Sequence, residues 1–417
     1  MAIIRPFKGI RPSKDKVHLI TSRSFDTYDP AVIQDKLKNN PFSFLQIIMP
    51  DGFRGNGKSK SKEKLSSIKL RFKEFVKNSY LNKDEKASFY IYQQISNGST
   101  FTGIIGCVSV DDYLNGVIKT HEKTLDKREE KMVNYLQAVD INAEPVCLTY
   151  PDNKGIDKII SHCINAMPEY DFTTTNSVRH KLWLIDEKLN NEIIKRFGKI
   201  KSVYVADGHH RSASSALLGQ KSRVSDPNGS ADAGYNFFMS ILIPFSQIRL
   251  YAYNRMVRDL NGLSKDAFIA RLSRDFDIEN KGNSVFQPGC LHEFGMYLDG
   301  SWYRLNAKPT ICEGKDVASS LDSKILSQHI LSPILNITDI SARTSDRICF
   351  IGGVDSSKET VLQEKVDSGE MKIAFSLFPV TIDQLVNVAD AGMTMPPKST
   401  WVEPKLRTGL VVYDLSE

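Results

Sequence analysis

One stretch constrains this chain more than any other: Val203-Tyr204-Val205-Ala206-Asp207-Gly208-His209-His210-Arg211-Ser212-Ala213-Ser214-Ser215-Ala216-Leu217-Leu218. The short apolar, β-branched run over 202–206 predicts a buried strand. Asp207-Gly208 ends it, and small residues lead to Leu217 and Leu218, where the first helical turns are expected. A strand, a glycine turn and a helix start make a ready anion site, because backbone N–H groups and the helix dipole converge there. The same turn holds a carboxylate, two imidazoles, a guanidinium and the hydroxyls of Ser212, Ser214 and Ser215. A plain polar turn, with Asp207 capping the helix and Arg211 on a surface acid, accounts for Asp207 but not for adjacent histidines.

The 417 residues allow two or more domains or one large composite domain. Hydrophobic content of 41% and charged content of 25% are those of an ordinary globular protein. A net charge of +6 suits a phosphorylated small molecule as well as nucleic acid, so it decides nothing alone. Its one local excess is Lys58, Lys60, Lys62 and Lys64, which reads as a solvated loop face. Six dispersed cysteines without a CxxC pair argue against a zinc ribbon or a disulfide scaffold and fit a reducing, cytoplasmic setting. No long apolar run follows Arg5, as a signal peptide would need, and the longest apolar stretch, 237–245, is too short to span a bilayer.

Taken in order, the chain predicts a strand and a Pro/Gly turn over 3–12, then a helix starting at Pro30 and ended by Asn39-Asn40-Pro41. A buried strand is expected over 44–49, a loop over 51–64, and a helix over 65–77 with Ile68, Phe72, Phe75 and Val76 on one stripe. A hairpin is expected around Ser96-Asn97-Gly98. Strands follow at 117–120, 145–150 and 180–185, and helices at 127–139, 156–163 and 189–197. Beyond the central motif come strands at 237–243 and 249–255, alternating elements with glycine connections at 281–283, 299–301 and 352–353, and a helix at 382–389. The proline-rich segment 391–405 reads as a fixed loop without regular structure. This order suggests three regions, 1–125, 126–230 and 231–417.

A second charged cluster, His121-Glu122-Lys123-Thr124, lies between a strand and a helix, where α/β proteins meet ligands. Beside His121, Glu122 suits a general base or a magnesium ligand, or equally a helix-flanking acid. Asp207, His209 and His210 offer acid/base or metal-ligand groups, and Arg211 can hold a phosphate bidentately. Lys398 and Lys405 offer further positive charge. His180 reads as a packed strand histidine. No P-loop, aspartyl-phosphate or GxSxG signature is present.

The motifs HEKT, ADGHHR and MPPKST followed by PKLRTGL resemble a widespread bacterial family, domain of unknown function one thousand and fifteen. The PFKGIRP opening, Tyr28-Asp29, Asn40-Pro41 with Phe44-Leu45, and His180-Lys181-Leu182-Trp183 extend the resemblance over nearly the whole chain. Thr120, Ser212 and Val402 stand where that family more often has a proline and two aromatics. The DGHHR turn is also similar to that of the ParB/sulfiredoxin-like fold, which includes ADP-dependent free serine kinases. The resemblance implies an α/β protein, mixed α+β, with a ParB/sulfiredoxin-like core extended at both ends. It also implies phosphoryl chemistry on serine or O-phosphoserine, since the family often accompanies serine-biosynthesis enzymes.

The expected function is phosphoserine hydrolysis. Glu122, Asp207, His209 and His210 are the expected catalytic groups. His121, Thr124, Gly208, Arg211, Ser212, Lys398 and Ser399 are expected on the phosphate or substrate. Glu122 and Asp207 are candidate magnesium ligands, and the two are expected to face one cleft. The same residues suit an ADP- or ATP-dependent serine kinase. A nucleotide-gated DNA-binding protein of the ParB kind lacks support, since no helix-turn-helix with a clustered basic face is apparent. The expected partner is a small phosphorylated amino acid, with no membrane and no nucleic acid; a homodimer stays open.

Overall fold

The computed structural model describes residues 1–49, 61–313, 316–338, 346–353 and 358–417. Most of the lysine-rich loop expected over 51–64 lies outside them. The protein is mixed α/β. Its chain divides into two compact units. The first comprises Met1–Lys119, Thr124–Ile248 and Pro404–Glu417, and the second Thr120–Lys123 with Arg249–Glu403. Two interleaved units therefore stand where three successive regions were expected. No linker composition marks these boundaries, because unit membership depends on which segments pack together.

The first unit is built on a nine-stranded sheet. Its strands in chain order are β1 (Ile4–Arg5), β2 (Tyr90–Ser96), β3 (Ser99–Ser109), β4 (Ile118–Lys119), β5 (Val146–Tyr150), β6 (Tyr170–Thr173), β7 (Arg179–Leu184), β8 (Val203–Asp207) and β9 (Phe237–Pro244). They lie side by side as β6-β7-β2-β3-β9-β5-β8-β4, with β1 paired to β3. The hairpin between β2 and β3 turns on Asn97 and Gly98, both at positive φ (49° and 72°). That is the twist a two-residue connection requires. The sheet is mixed: β8 runs parallel to β4 and antiparallel to β5, and β9 runs parallel to β5. The apolar runs that predicted strands supply its core, Val146, Leu148, Val203, Val205, Phe238 and Leu242 among them. Ile156, Ile159 and Ile160 of the helix Lys154–Cys163, with Ile193 and Phe197 of Asn190–Phe197, pack on that core.

Several expectations are corrected. Residues 44–49 contain a short helix, Leu45–Ile48, not a strand. Phe44, Leu45 and Ile47 are buried as expected, but a short run with five apolar residues of six reads alike as strand or buried helical turn. The Gln46 amide donates to the carbonyls of Leu37 and Asn40, which suits a compact turn. In the helix Ser61–Lys77, Ile68, Phe72 and Phe75 are buried while Val76 is 36% exposed, so the stripe is narrower than predicted. The single strand expected over 249–255 divides into Arg249–Tyr251 and Tyr253–Val257. The proline-rich segment does hold regular structure, since Trp401–Glu403 pairs with Arg249–Tyr251.

The second unit carries a six-stranded sheet formed by β10 (Tyr253–Val257), β11 (Phe276–Gly282), β12 (Glu293–Leu298), β13 (Ser301–Ala307), β14 (Ile348–Gly352) and β15 (Ile373–Leu377), in the order β11-β13-β12-β15-β10-β14. Gly352 lies inside β14, not in a connection. Phe294, Met296 and Leu298 meet Phe268 and Leu272 of the helix Lys265–Leu272, and Ile325, Leu326 and Ile330 close the same core. The helix Ile382–Asp390 starts on a capping box between Thr381 and Gln384.

Candidate functional site

β8 ends at a bulge. Val205 pairs with Leu148 and Asp207 with Cys147, so two residues on β8 oppose one step on β5. A bulge bends the strand and re-aims the side chain that follows it. Gly208 then adopts φ 100°, ψ 30°, and the helix α1 (His209–Ser225) begins at once. The left-handed conformation is costly for any residue with a Cβ, and a Cβ here would also meet the Arg211 guanidinium at 3.1–3.2 Å. The helix therefore starts eight residues before Leu217, where it was expected. His209, His210 and Arg211 form its first turn, and the first rung of its ladder is Ser212 N–H to the Gly208 carbonyl (3.0 Å).

This start changes what the hydroxyls do. Ser212, fully buried, donates to the His209 carbonyl (3.0 Å), and Ser214 donates to the His210 carbonyl (2.6 Å). Both hydroxyls serve the helix. Ser212, Ala213, Ser214, Ser215 and Ala216 are all buried, and these small side chains let α1 approach the neighbouring helix Asp126–Val139.

The charges of the junction are partnered. Arg211 pairs with Glu144 (2.8 Å), donates to the Pro145 carbonyl (2.5 Å) and lies 3.8 Å from Asp207. Glu144 also accepts from the Thr408 hydroxyl (3.0 Å). Lys405 reaches Asp207 at 3.4 Å. Asp207 thus has two cations. Burial works against its charge, but Lys405, Arg211 and His209 outweigh burial and hold the carboxyl below its ordinary range. His209 is 5% exposed, and burial lowers its pKa to about 4 against the pull of Asp207. It is a neutral imidazole at pH 7.

The PKLRTGL segment is therefore part of this site. Lys405 meets Asp207, Thr408 meets Glu144, and Arg407–Thr408 pairs with Ser22–Arg23. As found, Asp207 is committed to two cations that a magnesium ion would have to displace, so the donor set around it does not fit a metal. His180 is the packed strand histidine expected: it is 2% exposed, its Nδ1 lies 2.7 Å from the Tyr92 hydroxyl, and burial lowers its pKa to about 3.

The remaining expected site residues divide between the units. Thr124 belongs to the first, and His121, Glu122, Lys398 and Ser399 to the second. His121 is fully buried, and its carbonyl accepts from Met395 N–H (2.8 Å), which ties HEKT to MPPKST. Lys398, at φ 58°, places its ammonium 5.1 Å from the Tyr253 ring centroid. Ser399 is buried and bonded to the Pro396 carbonyl (2.7 Å) and the Ser323 hydroxyl (2.9 Å). Its hydroxyl holds the loop together.

The family model described as "Protein of unknown function (DUF1015)" matches residues 4–324. The chain belongs to that family. No curated protein matches it significantly. Among solved structures, it is similar to a free serine kinase in complex with AMP, at 12% identity over 72% of this chain and 87% of that one, with a TM-score of 0.34. SbnI with a C-terminal truncation from Staphylococcus aureus gives 13% identity, 72% and 82% coverage and a TM-score of 0.37. A conserved hypothetical protein from Pyrococcus furiosus gives 12%, 71%, 89% and 0.33. Likenesses this distant carry no argument about activity. Among the described residues, no helix is long and apolar enough to cross a membrane.

Sequence reasoning missed Glu144, whose partner Arg211 stands 67 positions further along the chain. The one available signal was its place just before a strand that neighbours β8.

Proposed function

We propose that the protein is a phosphoryl-transfer enzyme acting on serine or O-phosphoserine, and that it hydrolyses O-phosphoserine. The observation that carries this reading is the β8–Gly208–α1 junction, where a left-handed glycine sets a 17-residue helix directly behind Asp207, Arg211 and Lys405. N–H groups ahead of the first rung and two cations at one turn suit a phosphate dianion. Binding there requires the phosphate to compete with Glu144 for Arg211 and with Asp207 for Lys405. In this proposal Glu122 orients and deprotonates the attacking water, and Asp207 orients His210. Because burial keeps His209 neutral, His210 is assigned the proton delivered to the leaving serine oxygen. The ParB/sulfiredoxin-like core belongs to the same proposal.

A second reading is an ADP- or ATP-dependent serine kinase, to which a neutral His209 is no obstacle. Transfer from a nucleotide needs a base on the serine hydroxyl, which Glu122 would supply, but no imidazolium acid on an alkoxide leaving group. Steady-state assays separate the two. Phosphate release from O-phosphoserine without nucleotide is expected for the phosphatase; O-phosphoserine formed from serine only with ADP or ATP would replace it with the kinase. Absence of both activities, with and without magnesium, would overturn the proposal.

A further inference from the structure

Two arginines of the first unit stand directly opposite each other. In the antiparallel pairing of Arg407–Thr408 with Ser22–Arg23, Arg407 is the partner of Arg23. Directly opposed residues of a ladder send their side chains to the same face, and like charges placed there repel. Among the described residues, neither guanidinium makes an ion pair. Arg407 is 8% exposed; its Nη2 donates to the Thr21 carbonyl and, at 3.4 Å, to the Thr21 hydroxyl, while its Nε has no hydrogen-bond partner.

A third cation joins them. The Arg23 guanidinium lies 4.6 Å from the ring centroid of Tyr28, and the Lys36 ammonium lies 5.5 Å from the same centroid. Lys36 also makes no ion pair among the described residues. From the large sheet, Tyr92 on β2 and His180 on β7 lie close enough to feel the Arg407 charge. They bring no counter-charge: the Tyr92 hydroxyl and the neutral imidazole are 2.7 Å apart, and the His180 Nε2 has no partner. Burial holds the pKa of Arg407 below its ordinary value, and Arg23 pushes it the same way. Arg407 thus lies at the floor, while Arg23, Tyr28 and Lys36 are partly exposed and open the group to solvent.

A buried guanidinium beside a second cation is kept when an anion compensates both. A carboxylate would fill one guanidinium fork and cancel one charge. A phosphate dianion carries enough charge for two cations, and its tetrahedral oxygens can accept from two guanidinium groups at once.

We propose that Arg407, Arg23 and Lys36 form a phosphate site of the first unit, distinct from the β8–Gly208–α1 junction. The residues alternate along the ladder: Thr408 turns to Glu144 at the junction, and Arg407 turns to Thr21. The inference does not rest on the phosphoryl-transfer reading. Its ligand is either free phosphate or the phosphate group of a larger molecule.

Calorimetric titration of the full chain carrying Arg211→Ala, which weakens the junction, tests it. Inorganic phosphate is expected to bind at one per chain, with acetate at least about tenfold weaker. Adding Arg23→Gln is expected to weaken phosphate about tenfold or more without lowering the Tm of the ligand-free chain, since it relieves repulsion on Arg407. Lys36→Gln is expected to weaken it about threefold or more. If Arg211→Ala fails to fold, Arg23→Gln in the wild-type chain is expected to remove one bound phosphate per chain. O-phosphoserine separates the two sources: equal affinity assigns the site to free phosphate, and tighter binding that Arg23→Gln removes assigns it to a phosphomonoester. No phosphate binding, binding undiminished by Arg23→Gln, or acetate binding as tightly as phosphate would each overturn the proposal. A large fall in the ligand-free Tm of Arg23→Gln would also overturn it, by making the arginine pair a structural contact.

Discussion

The β8–α1 junction of the first unit and the recess of the second unit lined by Arg255 and Asp322 treat the same pair of chemical groups in opposite ways. At the junction, every charge has a counter-charge: Arg211 has Glu144, and Asp207 has Lys405 and Arg211. These side chains are partly exposed, so the pairs contribute modestly to stability. In the recess, guanidinium and carboxylate are nearly inaccessible and make no ion pair with each other; Asp322 has only His292 (3.1 Å), and Arg255 only carbonyls. The first arrangement is satisfied and waits for a ligand strong enough to displace its partners. The second leaves Arg255 Nε and Asp322 Oδ2 without hydrogen-bond partners, an arrangement that is costly. Of these two regions, the motif-rich one is thus electrostatically quiet, and the one without a motif carries the expensive charges.

The largest effect that can break this contrast concerns Glu122. Glu122→Gln is expected to cut turnover by roughly 100-fold or more while leaving the Tm unchanged. An active variant with a lowered Tm would make Glu122 a structural, helix-flanking acid and end its role as base. Next comes Arg211→Ala, expected to lower kcat/KM by about 10- to 100-fold, with KM rising as well as kcat falling. It should also lower the Tm, because Glu144 loses its cation. Arg255→Met provides the sharpest counterpart: its Tm is expected to equal or exceed that of the wild type, since it removes a buried charge that has no counter-charge in hydrogen-bond reach. A large drop would show that Arg255 is already compensated.

A smaller effect is read from pH. His180 and His209 titrate at about 3 and about 4 in the folded chain, below the ordinary 6.5. The unfolded chain therefore takes up protons first as pH falls below about 6.5, and stability declines by up to about 1.4 kcal/mol per pH unit for each histidine until the folded pKa is reached. Above 6.5 neither contributes a slope. Tm measured from pH 7.5 to 4.5 is expected to fall only below about 6.5, and His180→Phe to flatten part of that fall. The smallest effect is Gly208→Ala, expected to cost about 1–2 kcal/mol through the left-handed backbone, with phosphate affinity falling as α1 shifts. An unchanged Tm in urea or thermal melts would show that the turn relaxes.

Much of the first unit was legible. The hairpin at Asn97-Gly98, the proline-led helix at Pro30 and the strands over 146–150, 179–184 and 237–244 follow from turn chemistry and apolar runs. The misreadings have particular causes. The run 44–49 is short and apolar but for Gln46, so period could not separate strand from helical turn. Helix α1 lacks a usual cap and an apolar stripe, because Gly208 caps it without a side chain and small residues line its buried face. Its start was therefore placed too late. Val76 continued an apolar spacing that the packing did not use.

What the sequence determined by itself is local: a β-branched run must stop at Asp207-Gly208, and the groups on the next turn must gather around one helix start. Those preferences act over a few bonds, through backbone sterics and missing hydrogen-bond partners. The tertiary structure alone decided the partners. Lys405 reaches Asp207 across 198 residues, Thr408 reaches Glu144 across 264, and Arg255 and Asp322 come to one recess without any shared motif. The pairing and burial of charge depend on which strands lie side by side, and no stretch of neighbouring residues carries that information.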